Sequence, residues 1–204
     1  TIDAMDISYN ILILAEERVG KVNGINFIHG DAEIYKFKNY FYDLVYSRFG
    51  VMFFDNPKIA FSNIRNSIKK NGKLVFLSWN KIESNPWMDY PSKAAFKILP
   101  QPEKQQENSP GAFSLSEEAV IKETLIKSGF DNVESRKFDI TINLGELEQA
   151  VHFATQLGPA ATPYAEAGDS QKNEAKAAIK DELSKFKHAE NILLPGSCWL
   201  TTSD

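Results

Sequence analysis

Two aspartates stand just beyond short apolar runs: Asp6 follows Ile2-Asp3-Ala4-Met5, and Asp31 follows Ile25-Asn26-Phe27-Ile28-His29-Gly30. If those runs are strands of an open parallel sheet, both carboxylates lie at strand carboxyl ends, where such sheets bind ligands. A carboxylate there accepts hydrogen bonds from the two vicinal hydroxyls of a ribose or from an exocyclic amine, and a short Asp side chain keeps the nucleoside close to the backbone. Gly30 adds room, because a residue without Cβ lets a ligand approach the main chain. Either aspartate alone is more often a cap for the turn that follows it. The pair, at matching positions on successive strands, points to a nucleoside.

Other reactive groups carry less. His29, His152, Asp89 and Tyr90 are the options for a general base, but a hydrogen-bonded structural histidine is the commoner occupant of a strand end or a helical face. No residue is singled out as catalytic. Cys198 is the only cysteine, so it forms no internal disulfide, and with no neighbouring ligand set it predicts no metal site. It reads as a small buried residue of a reducing, cytoplasmic protein.

The elements that must position the aspartates follow from periodicity. Four short runs rich in β-branched and aromatic residues, Ile2 to Met5, Ile25 to His29, Tyr42 to Tyr46 and Lys73 to Trp79, alternate with helix-period segments, the pattern of βα units around a parallel sheet. Ser8 caps a helix carrying Leu12, Ala15 and Val19 on one face, which Gly20 ends. Asn56 and Pro57 open a second helix with Ala60, Phe61, Ile64 and Ile68 as its stripe, and Asn71-Gly72 predicts a left-handed turn into the fourth strand. Residues 80 to 112 hold five of the nine prolines and the polar run Gln101 to Asn108, and are read as an insertion or lid. Ser114 and Glu117 have capping-box spacing before a helix that Gly129 ends. Phe138, Ile140 and Ile142 alternate as in an edge strand. Residues 145 to 190 form a helical elaboration, with Ala175, Ile179, Leu183 and Phe186 inward and Asp181 placed to pair with Lys185, and Ser197 to Thr202 form the last strand.

Composition bounds the partners. The chain of 204 residues is 43% hydrophobic and 25% charged, which suits one globular α/β domain over residues 1 to 204. No apolar run is long enough to span a bilayer. With 23 basic and 27 acidic residues the formal charge is -4, a balance that does not recruit nucleic acid. Oligomeric state is not encoded in any pattern found here.

Several segments together resemble the class I S-adenosylmethionine-dependent methyltransferases, and their quinone-biosynthesis-like small-molecule branch in particular. Asp6-Ile7-Ser8 resembles the acidic end of that family's second strand, Gly30-Asp31-Ala32-Glu33 its adenine-binding turn, and Tyr42-Asp43-Leu44-Val45-Tyr46-Ser47-Arg48 its fourth strand. Ile68 to Phe76 resembles the glycine turn into strand five, with Asn71 where a glycine is usual; Ser128 to Val133 and Leu194 to Leu200 resemble the joins to the last strands. The resemblance implies a three-layer Rossmann-like fold with a mostly parallel sheet and an antiparallel last strand. It implies S-adenosylmethionine as cofactor, with Asp6 on the ribose, Ile7 against the adenine, and Asp31 and the Ala32 N–H on the adenine edge beside Gly30. Ser47 would lie toward the methionine part. Arg48 and Phe49 then face a small-molecule methyl acceptor, with Trp87 and Tyr90 as further walls. The acceptor, and whether oxygen, nitrogen or carbon is methylated, are left open.

The family's first strand and its glycine-rich loop have no counterpart in these residues, and the chain opens, at Thr1 rather than Met, on what matches strand two. The expectation is a chain shortened at its start and a sheet lacking its central strand, which binds cofactor weakly or not at all. Two alternatives share the features seen: a nicotinamide-dependent Rossmann oxidoreductase, where an acidic residue after strand two also reads ribose, and a non-catalytic binding protein on the same fold.

Overall fold

The computed structural model describes residues 1–20, 22–102 and 109–204. Of the polar run Gln101 to Asn108, residues 103 to 108 lie outside the described residues.

The first βα unit matches its local signals. Strand β1 (Ile2–Asp6) leads into α1 (Tyr9–Val19), whose first turn is capped by Ser8 Oγ accepting from Ile11 N at 3.4 Å, and Gly20 ends it at φ 65°. Strand β2 (Ile25–His29) pairs with β1 in parallel, from Ile2 opposite Ile25 to Asp6 opposite His29. The expected apolar face of α1 is only partly used: Leu12 is buried, whereas Val19 is exposed and Ala15 half-exposed. A two-stranded sheet offers too little surface to cover an eleven-residue helix.

Strand β3 (Tyr42–Arg48) pairs in parallel with β4 (Ile68–Trp79), and α2 (Pro57–Ser67) connects them. Asn56 caps α2 by accepting from Ile59 N at 3.2 Å, with Pro57 in the first turn. One detail differs from the sequence expectation. Asn71-Gly72 is not a left-handed turn ahead of the strand but part of a bulge inside it: Tyr42 faces Ile68 and Leu44 faces Lys73, so Lys69 to Gly72 lie opposite Asp43 alone. Glycine is required by crowding, since a Cβ at residue 72 would stand 2.7 Å from Ile68 Cγ2 and 2.9 Å from the Tyr42 carbonyl oxygen.

After α3 (Pro86–Ala95) the chain enters α4 (Glu118–Lys127), which begins later than the capping-box spacing implied. Ser114 Oγ donates to the Met52 carbonyl at 2.6 Å and the N-cap position falls at Glu117, whereas Gly129, at φ 87°, ends the helix as expected. Strand β5 (Glu134–Asn143) is the sheet edge. The elaboration comprises α5 (Leu147–Gln156), α6 (Ala161–Glu166) and α7 (Asp169–Ser184), with Ala175, Ile179 and Leu183 fully buried. Lys185 pairs with Glu182 at 2.7 Å rather than with Asp181. A two-residue strand β6 (Lys187–His188) turns into β7 (Asn191–Ser203), which runs antiparallel to both β4 and β5.

The strands form two sheets, β1-β2 and β3-β4-β7-β5 with β6 attached to β7. Among the described residues β1 and β3 share no backbone ladder; a side-chain bond joins them instead, Tyr42 Oη donating to Asp3 Oδ2 at 2.6 Å. Helices α2 and α4 cover one face of the large sheet over Phe61, Leu74, Phe76, Ile121, Leu125 and Phe130, each such buried side chain stabilising by about 1.5–3 kcal/mol. On the opposite face Leu44 and Tyr46 are exposed and Val75 and Leu77 half-buried, so the third layer is open over β3. Helices α3, α5 and α7 build a second apolar cluster against β7. Cys198 in β7 is buried, and burial pushes its thiol up, with Asp139 adding to the effect.

Candidate cofactor and substrate site

The parallel ladder carries Asp6 and the Gly30-Asp31 turn to one rim. Asp6 lies opposite His29, and Gly30 N donates to the Asp6 carbonyl oxygen at 3.1 Å. Each carboxylate uses one oxygen to close its own turn: Asp6 Oδ1 accepts from Ser8 N at 2.7 Å, and Asp31 Oδ1 from Glu33 N at 2.8 Å. Turn capping and ligand binding are therefore compatible, because each half-buried carboxylate keeps a second oxygen with its lone pairs.

The turn after β2 is anchored from α2. Asn63 Nδ2 donates to the carbonyls of Ala32 and Tyr35, both at 2.8 Å, and Glu33 Oε1 accepts from Asn56 N at 2.7 Å. Among the described residues the Ala32 N–H has no partner, which leaves it able to donate. Gly30 packs tightly, since a Cβ there would stand 3.0 Å from Tyr35 Cδ2. Ile7 is 68% exposed, its side chain free to cover a planar ligand.

Ser47, Arg48 and Phe49 close β3 at its carboxyl end. Ser47 Oγ accepts from Gly50 N at 3.2 Å, Arg48 is exposed, and Phe49 is held at φ 63°, a left-handed conformation costly for an aromatic residue. Its ring stacks on Trp79, centroids 4.0 Å apart and planes 7° from parallel. Trp79 reaches Trp87 at 5.1 Å, which reaches Phe153 at 6.0 Å, so an aromatic series runs from the end of β3 into the helical elaboration.

Trp87 is buried and its Nε1 donates to Asn85 Oδ1 at 3.2 Å, while Tyr90 packs 5.3 Å from Phe186. The structure thus groups Asp6, Ile7, Gly30, Asp31 and Ala32 on one rim and Ser47, Arg48 and Phe49 at the end of β3; Trp87 joins the latter through Trp79, and Tyr90 stands apart. His152 is exposed, and Asp89 is paired with Lys93 at 2.6 Å. Sequence reading missed Trp79, Asn63 and Asn85. The first two sit within regular elements whose periodicity explains them as packing, and Asn85 lies in an irregular stretch with no pattern at all.

Strand β7, antiparallel between two parallel neighbours, separates this topology from the all-parallel dinucleotide-binding sheet. A methyltransferase domain family matches residues 1–76, the whole stretch from β1 into β4 that carries both aspartates and Ser47. Over 156 residues the chain is 26% identical to the ubiquinone/menaquinone biosynthesis C-methyltransferase of Blochmanniella pennsylvanica, covering 71% of this chain and 61% of that relative. Both likenesses are to methyltransferases. It spans less than two thirds of that curated relative's length. The class I fold is shared with solved structures: a candidate methyltransferase from Bacillus halodurans C-125 superposes with TM-score 0.60 at 18% identity, over 98% of this chain and 81% of that one. Haemonchus contortus phosphoethanolamine N-methyltransferase 2, solved with phosphomonomethylethanolamine and S-adenosylhomocysteine, superposes with TM-score 0.52 at 19% identity, over 98% of this chain and 42% of that one.

Proposed function

We propose that this chain takes part in S-adenosylmethionine-dependent methyl transfer to a small-molecule acceptor, holding the nucleoside half of the cofactor on the β1-β2 rim. The observation that carries the reading is the placement of Asp6 and Asp31 on adjacent parallel strand ends, each with one carboxylate oxygen left over after closing its turn. The donor set suits an adenosine: Asp6 for the ribose hydroxyls, Asp31 for the exocyclic amine, the Ala32 N–H for a ring nitrogen and Ile7 for the base face. When bound, the cofactor supplies the methyl group as a sulfonium, and this chain's residues align and shield the reacting groups. Ser47 lies toward the methionine part, and Arg48 and Phe49 face the acceptor; Trp87 supports that wall from behind through Trp79. No side chain is assigned a proton-transfer role.

The test is titration with S-adenosylhomocysteine, followed by melting temperature and calorimetry. A ligand specific to the native state raises the melting temperature. Asp6→Ala removes a charged acceptor, and the expected loss is about 1.5–3 kcal/mol of binding, or roughly 10- to 150-fold in affinity. Stabilisation that survives Asp6→Ala undiminished sinks the reading, as does the absence of any stabilisation of the unaltered chain at millimolar ligand, where even a weakened site is occupied.

A further inference from the structure

His29 closes β2 directly opposite Asp6, and its side chain reaches across the strand ends: Nε2 lies 2.9 Å from the carbonyl oxygen of Ile7. A carbonyl oxygen only accepts, so Nε2 carries the hydrogen in this contact. The imidazole is steadied by Tyr9, whose ring centroid lies 5.6 Å away at a tilt of 60°. The turn Asp6-Ile7-Ser8 is therefore held at three points. Gly30 N binds the Asp6 carbonyl, Asp6 Oδ1 binds Ser8 N, and His29 binds the Ile7 carbonyl. The first two fix the ends of the turn, and His29 is the contact seen at its middle residue, the one whose exposed side chain would cover the base.

Building on the function proposed above, we infer that His29 is a positioning residue for the nucleoside: its Nε2–H clasps the Ile7 carbonyl and so fixes where the free Asp6 oxygen and the Ile7 side chain point. His29 acts through Ile7 and is not a catalytic residue. The clasp commits Nε2 as a donor, and no proton-transfer role is assigned to this histidine.

Two substitutions separate the donor from the ring. His29→Phe keeps an aromatic neighbour for Tyr9 but removes the donor; His29→Gln places an amide N–H at similar reach. The probe is adenosine, titrated by NMR shift changes so that millimolar binding is read, alongside hydrogen exchange of the Ser8 amide. His29→Phe is expected to weaken adenosine about three- to tenfold and to speed Ser8 exchange, as loss of one hydrogen bond predicts, and His29→Gln to restore both to within about twofold. Equal adenosine affinity in all three proteins overturns the inference, whatever the exchange rates. So does weaker binding in His29→Phe that His29→Gln fails to restore. If the unaltered chain binds no adenosine, the nucleoside reading of the rim falls first and this inference with it, an outcome distinct from unaltered binding with indifferent variants.

Discussion

Tyr42 and Asp3 illustrate how much one side-chain pair carries where two sheets meet without a ladder. The tyrosine hydroxyl donates to Asp3 Oδ2 at 2.6 Å while Asn26 Nδ2 donates to Oδ1 at 2.8 Å, and these bonds hold the Asp3 carboxyl below the usual carboxylate range. Burial and then the Asp3 bond push the Tyr42 hydroxyl well above its ordinary value. The signs bracket a pH window. A carboxylate depressed in the fold contributes stability above its unfolded value, near 3.9, and loses it as pH falls through the lower folded value; a phenol raised in the fold contributes below about 10 and loses it as pH rises through the folded value. Tyr42→Phe is therefore expected to lower stability by about 0.5–1 kcal/mol at neutral pH, a modest figure because Asp3 is largely solvated. Denaturant midpoints of the two proteins should converge on acidification below the carboxylate range. A constant gap across that range would assign the loss to packing instead.

At the level of elements, the two helices richest in sequence signal behave differently. α7 buries Ala175, Ile179 and Leu183 completely against α3 and α5, so Leu183→Ala should cost about 2–5 kcal/mol in chemical unfolding, the cost of a cavity in a packed core. α1 leaves Ile11 and Leu14 more than half exposed, and Leu14→Ala should stay within about 0.5 kcal/mol of the parent. Comparable losses at both sites would show that α1 is buried in solution. The same contrast explains what the chain's order of residues reveals. The cap at Asn56, the stop at Gly129, the edge alternation of β5 and the strand-end aspartates are local, and each was legible from neighbours a few residues away. The β4 bulge, the diversion of Ser114 to Met52, the Lys185 pairing with Glu182 and the stacking of Phe49 on Trp79 depend on what the fold brings alongside, or on a choice among rotamers, and spacing does not encode either. Of the site, the carboxylates were readable, and His29 was legible as a hydrogen-bonded histidine at a strand end; Asn63, which holds the turn after β2, was not, because a polar residue in a helix reads as ordinary surface.

For the molecule as a whole, the division into a two-stranded and a larger sheet sets a gradient of stability. The β1-β2 pair buries little beyond Leu12 of α1, whereas β4 and β7 lie between partners and under packed helices. Amides of β1 and β2 should exchange by local opening on the order of tenfold or more faster than those of β4 and β7, read by native-state hydrogen exchange. Uniform protection would mean that both sheets open together. The root of the segment from residue 80 to 112 behaves in the opposite way. The Asn85 side chain spends its full capacity there: Nδ2 donates to the carbonyls of Asn80, Lys81 and Ser197, and Oδ1 accepts from Ser197 N and Trp87 Nε1. A door fastened so completely at its jamb cannot swing from there. Any movement of this segment must pivot beyond its root, with the frame of Asn80, Asn85 and Ser197 left unaltered.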